Sequence, residues 1–217
     1  MDAKATWARL LGNSSWLGTV LYVPVLYGLG WLIVRPLALV APQWRSDQVD
    51  LAGLVVALAL LLGTLPTRLK AVWADSHPWQ RLGLAVPPPT ALRSWLRGLF
   101  KAIALLGWVS LVLMLGGQAQ WLGELNQGLV LNALGLMVGV GFAEELLFRG
   151  WLMGELTLLM GPRRGLLLQA ALFSLVHTRF NLALGPLLGL LGGLLLLGLA
   201  LGLQRCADRG VLWGAIG

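Results

Sequence analysis

The chain is poor in cysteine, histidine and charge, and each shortage excludes a class of protein. Cys206 is the only cysteine, so no intramolecular disulfide and no cysteine-based metal site can form. Charged residues make up 12% of the chain and hydrophobic residues 58%, which excludes an ordinary soluble protein with a single core. Only 2 histidines occur and the pattern His-Glu-x-x-His is absent. We therefore expect no zinc site and no other cofactor.

Long apolar runs take the place of the missing charge, and they predict membrane-spanning helices. About 20 apolar residues are needed for one helix to cross a bilayer. The predicted fold class is all-α, a polytopic membrane helix bundle with six spans and the start of a seventh. The six runs are 16–34, 49–65, 99–115, 129–160, 166–177 and 182–203, and the seventh begins in 211–217. We expect the natural protein to continue past Gly217 and to complete this last span.

The basic residues predict how the chain is oriented in the membrane. The net charge is +7, and most lysines and arginines fall in segments that lie inside if the N-terminus is cytoplasmic. Only Arg35, Arg45 and Arg179 fall in the outside segments. The sequence therefore predicts an integral protein of the plasma (inner) membrane or of an internal membrane, with the lipid bilayer as its partner. The charges form no stripe typical of nucleic-acid binding, so no nucleic-acid partner is expected.

The stretch before the third run alternates apolar and basic residues and follows three consecutive prolines. Tryptophan together with arginine and lysine is typical of the headgroup layer. We interpret this stretch as an interfacial helix that anchors the chain. Its apolar positions are Leu92, Trp95, Leu96 and Leu99, and its basic positions are Arg93, Arg97 and Lys101.

Two adjacent carboxylates and an arginine occur inside the fourth apolar run. A charged side chain at this depth costs at least ~2.5 kcal/mol, so each needs a partner or a function. Glu145 and Arg149 are spaced at i and i+4 and can form an ion pair on one helix face. Glu144 points about 100° away around the helix. Glu144 is therefore the carboxylate that this ion pair leaves free, and we predict that it takes part in a chemical reaction.

A histidine follows on the next apolar run. Phe173 and His177 are spaced at i and i+4 and share a helix face with Gln169. Gly161 and Pro162 between the two runs predict a tight turn, which makes the runs antiparallel neighbours. Because Glu144 and His177 are about equally far along the chain from this turn, we expect them at similar depth, in one polar cavity.

These residues resemble the motifs of a known family. Glu144, Glu145 and Arg149 are similar to the Glu-Glu-x-x-x-Arg motif of the CPBP intramembrane proteases, which include the CaaX prenyl endopeptidases, and Phe173 and His177 are similar to its Phe-x-x-x-His motif. The resemblance implies a glutamate-type endopeptidase that cleaves a membrane-associated substrate with activated water. It implies Glu144, Glu145 and His177 as catalytic residues, with Arg149 and Phe173 supporting the site.

The resemblance also predicts the domain organisation and leaves two functions open. Residues 129–217 form the expected catalytic core, incomplete at its C-terminal end, and 1–128 carry the N-terminal spans and the basic interfacial loop. The family's third motif, a histidine followed four residues later by asparagine or aspartate on a later span, is not found. The alternative function is a non-proteolytic membrane scaffold, chaperone or immunity-type partner on the same fold.

Glycines at i, i+4 spacing in the last runs predict surfaces where helices approach closely. One series is Gly185, Gly189 and Gly193, and another is Gly198 and Gly202.

Overall fold

A computed structural model describes residues 16–40, 43–121, 123 and 126–217 of the chain. Every regular element in these ranges is a helix, which confirms the all-α prediction. The chain divides into two compact units, Met1–Trp79 and Gln80–Gly217. The residues of both predicted motifs lie in the second unit.

The described part of the first unit is a pair of long helices joined by a short one. Its helices are α1 (Trp16–Val34), α2 (Leu37–Val40) and α3 (Ser46–Trp73). Gly30 of α1 lies so close to the backbone of α3 that an added side-chain carbon would be 2.8 Å from the nitrogen of Ala57. The Tyr22 hydroxyl and Thr64 Oγ1 are 2.8 Å apart and tie the two helices together. Close backbone packing and a hydrogen bond therefore hold this pair.

The second unit contains four long helices and a short C-terminal one, and a short helix leads into it across the boundary. These are α4 (Pro78–Arg81), α5 (Pro88–Leu115), α6 (Gln127–Met160), α7 (Pro162–Val176), α8 (Leu184–Ala207) and α9 (Trp213–Ile216). Proline begins both α5 and α7, where its missing N–H costs nothing. The predicted interfacial stretch is the first part of α5 and continues into the third apolar run without a break.

Five of these helices, α1, α3, α5, α6 and α8, are long and apolar enough to cross a membrane. They correspond to five of the six predicted spans. The remaining run forms α7, which has 15 residues and measures about 22 Å against a bilayer core of about 30 Å. The segment predicted to open a seventh span holds the four-residue α9.

The helices α6, α7 and α8 follow one another in close contact. Gly161 has a φ of +86° and turns the chain from α6 into α7, as predicted. Gly198 packs against the backbone of Ala170 and Gly202 against Leu166, which confirms that glycine series. The series at Gly185, Gly189 and Gly193 was predicted wrongly, because no atom lies within 4 Å of the position a side chain would take. These three glycines lie on the same helix but meet no neighbour among the described residues.

The C-terminal helix α9 packs on α5 and on the loop before it. The backbone N–H of Leu212 donates to the carbonyl of Gly83 at 3.1 Å. The indole N–H of Trp213 donates to the carbonyl of Leu84 at 2.9 Å. Gly98 of α5 faces the backbone of Gly214 directly.

A polar cluster fastens the end of α8 to α5. Asp208 accepts hydrogen bonds from Ser94 Oγ at 3.0 Å and from Gln204 Nε2 at 2.8 Å. Its other oxygen forms an ion pair with Arg97 at 2.8 Å. Lys101 donates to Gln204. Two of the basic residues of α5 therefore have partners on the C-terminal side of α8.

The contact between α5 and α9 gives a prediction about stability. Gly98→Ala should lower the free energy of unfolding by ~1–3 kcal/mol, as expected for overpacking, since the new methyl group would overlap the carbonyl oxygen of Gly214. Thermal unfolding of the detergent-purified variant measures this loss. Gly107→Ala on the same helix is the matched control, because nothing lies within 4 Å of its added carbon. Equal melting temperatures for the two variants would contradict the close contact.

Candidate active site

The helix that carries both glutamates is not a regular α-helix. Two π-helical segments, Met137–Gly141 and Glu145–Leu152, interrupt it on either side of the single α-helical turn Phe142–Glu144. In a π-helix the hydrogen bonds run from i to i+5, which changes the direction of the side chains that follow, and such segments are frequent at functional sites. The described elements therefore place Glu144 and Glu145 at a local change of helix geometry.

Glu145 and Arg149 form a buried ion pair. The distance from Glu145 Oε1 to Arg149 Nη1 is 2.6 Å, and the Arg149 side chain is fully buried. This confirms the pairing predicted from the i, i+4 spacing. The guanidinium also lies over the ring of Phe173 at 4.0 Å. Within the described residues, Glu145 Oε2 and the Nε and Nη2 atoms of Arg149 have no hydrogen-bond partner, so this pair depends on one short contact and on stacking.

Glu144 and His177 meet across the interface between α6 and α7. Glu144 Oε1 and His177 Nε2 are 3.5 Å apart, and each side chain is 33% exposed. The structure therefore brings together the carboxylate and the imidazole that lie on different apolar runs. Unlike Glu145, Glu144 is accessible from outside the protein.

The ring of His177 is held by the end of its own helix. Its Nδ1 lies 2.7 Å from the carbonyl oxygen of Phe173, which can only accept, so Nδ1 carries a proton. This carbonyl lies in the last turn of α7, where no further turn of helix can bond to it. Nε2 is then the nitrogen turned to Glu144, and this oriented pair can share a proton.

Phe173 connects the two pairs of charged groups. Its ring stacks 4.8 Å from that of His177 and packs edge-on against Phe148 at 5.1 Å, centre to centre. Because Arg149 covers the same ring, one phenylalanine contacts both the ion pair and the histidine. Its role in supporting the site stays a prediction.

Gln169 shares the helix but not the site. Its side chain is buried and its Nε2 donates to the carbonyl of Gly198 at 3.2 Å. Ser174 Oγ likewise donates to the carbonyl of Leu191 at 2.7 Å. Both side chains therefore tie α7 to α8.

Two buried charged residues were not recognised from the sequence, Arg205 on α8 and Glu155 on α6. Arg205, near the end of α8, is buried, and its guanidinium donates to the carbonyls of Gly150 at 3.0 Å and Leu82 at 3.5 Å. It therefore braces the second π-helical segment. Glu155 is 1% exposed and accepts from the indole N–H of Trp151 at 2.6 Å. Its i, i+4 spacing from Trp151 was a signal that could have found it.

The described part of the chain contains no group of three His, Cys, Asp or Glu residues that could hold a metal ion. What the arrangement offers is an accessible carboxylate, an imidazole in contact with it, and a buried ion pair beside them.

The second compact unit contains a match to a known protein family. Residues 126–217 match the family model of the type II CAAX prenyl endopeptidases, Rce1-like. These residues belong to the CPBP family. The CPBP domain includes both pairs, Glu144 with His177 and Glu145 with Arg149. Residues 3–77 match a domain of unknown function (DUF8676), which agrees closely with the first compact unit. No curated protein and no solved structure matches the chain.

The CPBP domain and the apolar helices together define the class of protein. Five helices have the length and composition to cross a membrane, and one of them, α6, carries Glu144 and Glu145. The chain is therefore an integral membrane protein with a domain of a membrane-protease family.

Proposed function

We propose that this protein is an intramembrane endopeptidase in which Glu144 activates a water molecule. The observation that carries the proposal is the 3.5 Å distance between Glu144 and His177, with both side chains one-third exposed. A general base must be accessible to its water and near a second group that handles protons. Among the charged groups described for α6 and α7, this pair combines both properties.

Glu145 supports the reaction in this proposal without touching the substrate. Its carboxylate is buried and bonded to Arg149, so it is not free to take a proton from water. Arg149 in turn covers Phe173, whose carbonyl orients His177. Glu145, Arg149 and Phe173 therefore act as positioning residues, and Glu144 and His177 as catalytic residues.

The proposed step is hydrolysis of one peptide bond. Glu144 takes a proton from water while the water oxygen bonds to the carbonyl carbon of the substrate. In the imidazolium form both nitrogens of His177 carry protons, so Nε2 can donate to the oxygen that becomes negative. The proton on Glu144 then passes to the amide nitrogen as the C–N bond breaks. Glu144 returns to its starting state.

The proposal includes a membrane arrangement and a class of substrate. We propose that the N-terminus is cytoplasmic, because most basic residues then lie inside. In the proposed arrangement α7 contributes a sixth, short segment at membrane depth. The substrate is a membrane-associated peptide or protein, and the step above needs no metal ion.

Cleavage by the protein in proteoliposomes tests the proposal. A fluorescently labelled prenylated peptide and an unprenylated membrane peptide are offered separately, with and without a metal chelator. We expect cleavage of at least one peptide and the same rate with the chelator. Loss of cleavage with the chelator would contradict water activation by Glu144 alone. Binding without cleavage of either peptide would favour the non-proteolytic scaffold.

A further inference from the structure

The N-terminal half of α5 carries a groove that the proposed reaction does not use. Its volume is about 630 Å³. The apolar side chains Leu92, Leu96 and Phe100 line it, and all three are exposed. Arg93, Arg97 and Lys101 line it as well. Apolar and basic side chains thus follow one face of the helix at i, i+4 spacing.

The length of α5 places this groove near the edge of the bilayer. Its 28 residues measure about 42 Å, about 12 Å more than the hydrocarbon core. Residues 102–115 contain no charged residue, so the excess length lies at the N-terminal end. An excess of about 12 Å corresponds to about eight residues, 88–95, which include Arg93. Arginine and lysine at this position extend their charged ends toward the headgroup layer.

The described residues neutralise only part of the positive charge of the groove. Residues 88–101 contain no aspartate or glutamate. Asp208 pairs with Arg97, and among the described residues Lys101 donates a hydrogen bond only to the neutral Gln204. Arg93 is exposed and makes no ion pair or hydrogen bond with the described residues. Because Arg97 already has Asp208 as its partner, Arg93 is the basic residue of the groove that is left for an anion from outside the chain.

We propose that the groove binds one anionic glycerophospholipid of the surrounding membrane. The phosphate lies against Arg93 at the headgroup level, and an acyl chain follows Leu92, Leu96 and Phe100 toward the bilayer interior. The apolar lining favours a lipid over free phosphate, which would gain nothing from it. Basic pockets beside membrane helices are suited to anionic headgroups.

Native mass spectrometry of the full chain tests this site. The protein is released from nanodiscs that contain equal amounts of phosphatidylglycerol and phosphatidylcholine, and the bound lipid is identified. We expect one phosphatidylglycerol to be retained in preference to phosphatidylcholine. Arg93→Gln should weaken this retention about fivefold, the effect of one basic residue near an anionic surface. Arg163→Gln, which removes an exposed charge at the start of α7, should not.

The other outcomes overturn the proposal. Equal retention of both lipids would mean that the groove is ordinary lipid-facing surface. Unchanged retention in Arg93→Gln would place the lipid elsewhere. Displacement by millimolar glycerol phosphate would indicate a phosphate site without an acyl chain, and displacement by an acidic peptide would indicate a peptide surface.

Discussion

Replacing Glu144 with glutamine should lower the rate of peptide cleavage by about 100-fold or more, the usual contribution of a general base. The amide has nearly the shape of the carboxylate but cannot take a proton from water. Because Glu144 is one-third exposed and its only ion pair within the described residues is with His177, the yield of folded protein should stay the same. Initial cleavage rates and detergent-extracted yield are measured on the same preparations.

A matched control shows whether an acid-to-amide change outside the site affects cleavage. Asp75→Asn makes the same acid-to-amide change in a residue that accepts only the backbone N–H of His77 at 2.8 Å, and it should leave cleavage unchanged. His177→Ala should reduce cleavage as well. Full activity in Glu144→Gln would end the assignment of Glu144 as general base.

Replacing Arg149 with alanine should sharply reduce the amount of folded protein. The change removes the partner of Glu145 at 2.6 Å and the cation over Phe173 at 4.0 Å. It leaves a buried carboxylate uncompensated, which costs roughly 3–5 kcal/mol of stability. The expected result is a lower melting temperature and a lower detergent-extracted yield. Cleavage should fall with it, because Phe173 orients His177.

A double variant shows whether the unpaired charge is the cause. Glu145→Ala combined with Arg149→Ala removes both charges and should recover part of the stability that Arg149→Ala loses. The interaction energy of the two positions then follows from a double-mutant cycle. If the double variant is as unstable as the sum of the single variants, the ion pair contributes no coupling and the stabilising role of this contact is wrong.

The sequence predicted those parts of the site that depend on local spacing. The Glu145–Arg149 pair follows from the i, i+4 rule, which needs no tertiary information. The approach of Glu144 to His177 follows from two antiparallel helices and the turn at Gly161, because equal distance from a turn means equal depth. The first prediction uses one helix, and the second uses one pair of helices joined by a turn.

What the sequence missed depends on contacts between distant segments. Arg205 reaches the carbonyls of Leu82 and Gly150, which come together only in the folded unit. Glycine spacing could not distinguish Gly198, which meets α7, from Gly189, which meets no neighbour in the described part of the chain, because spacing alone does not say which face has a neighbour.

The π-helical segment Glu145–Leu152 makes the length of α6 part of the site. Each residue of an α-helix turns the chain by about 100°, so one residue more or less between Glu144 and Gly161 would turn the carboxylate to another side of the helix. A π-helical turn holds one extra residue without breaking the helix. The number of residues between Glu144 and Gly161 therefore matters for the site as much as which residues they are.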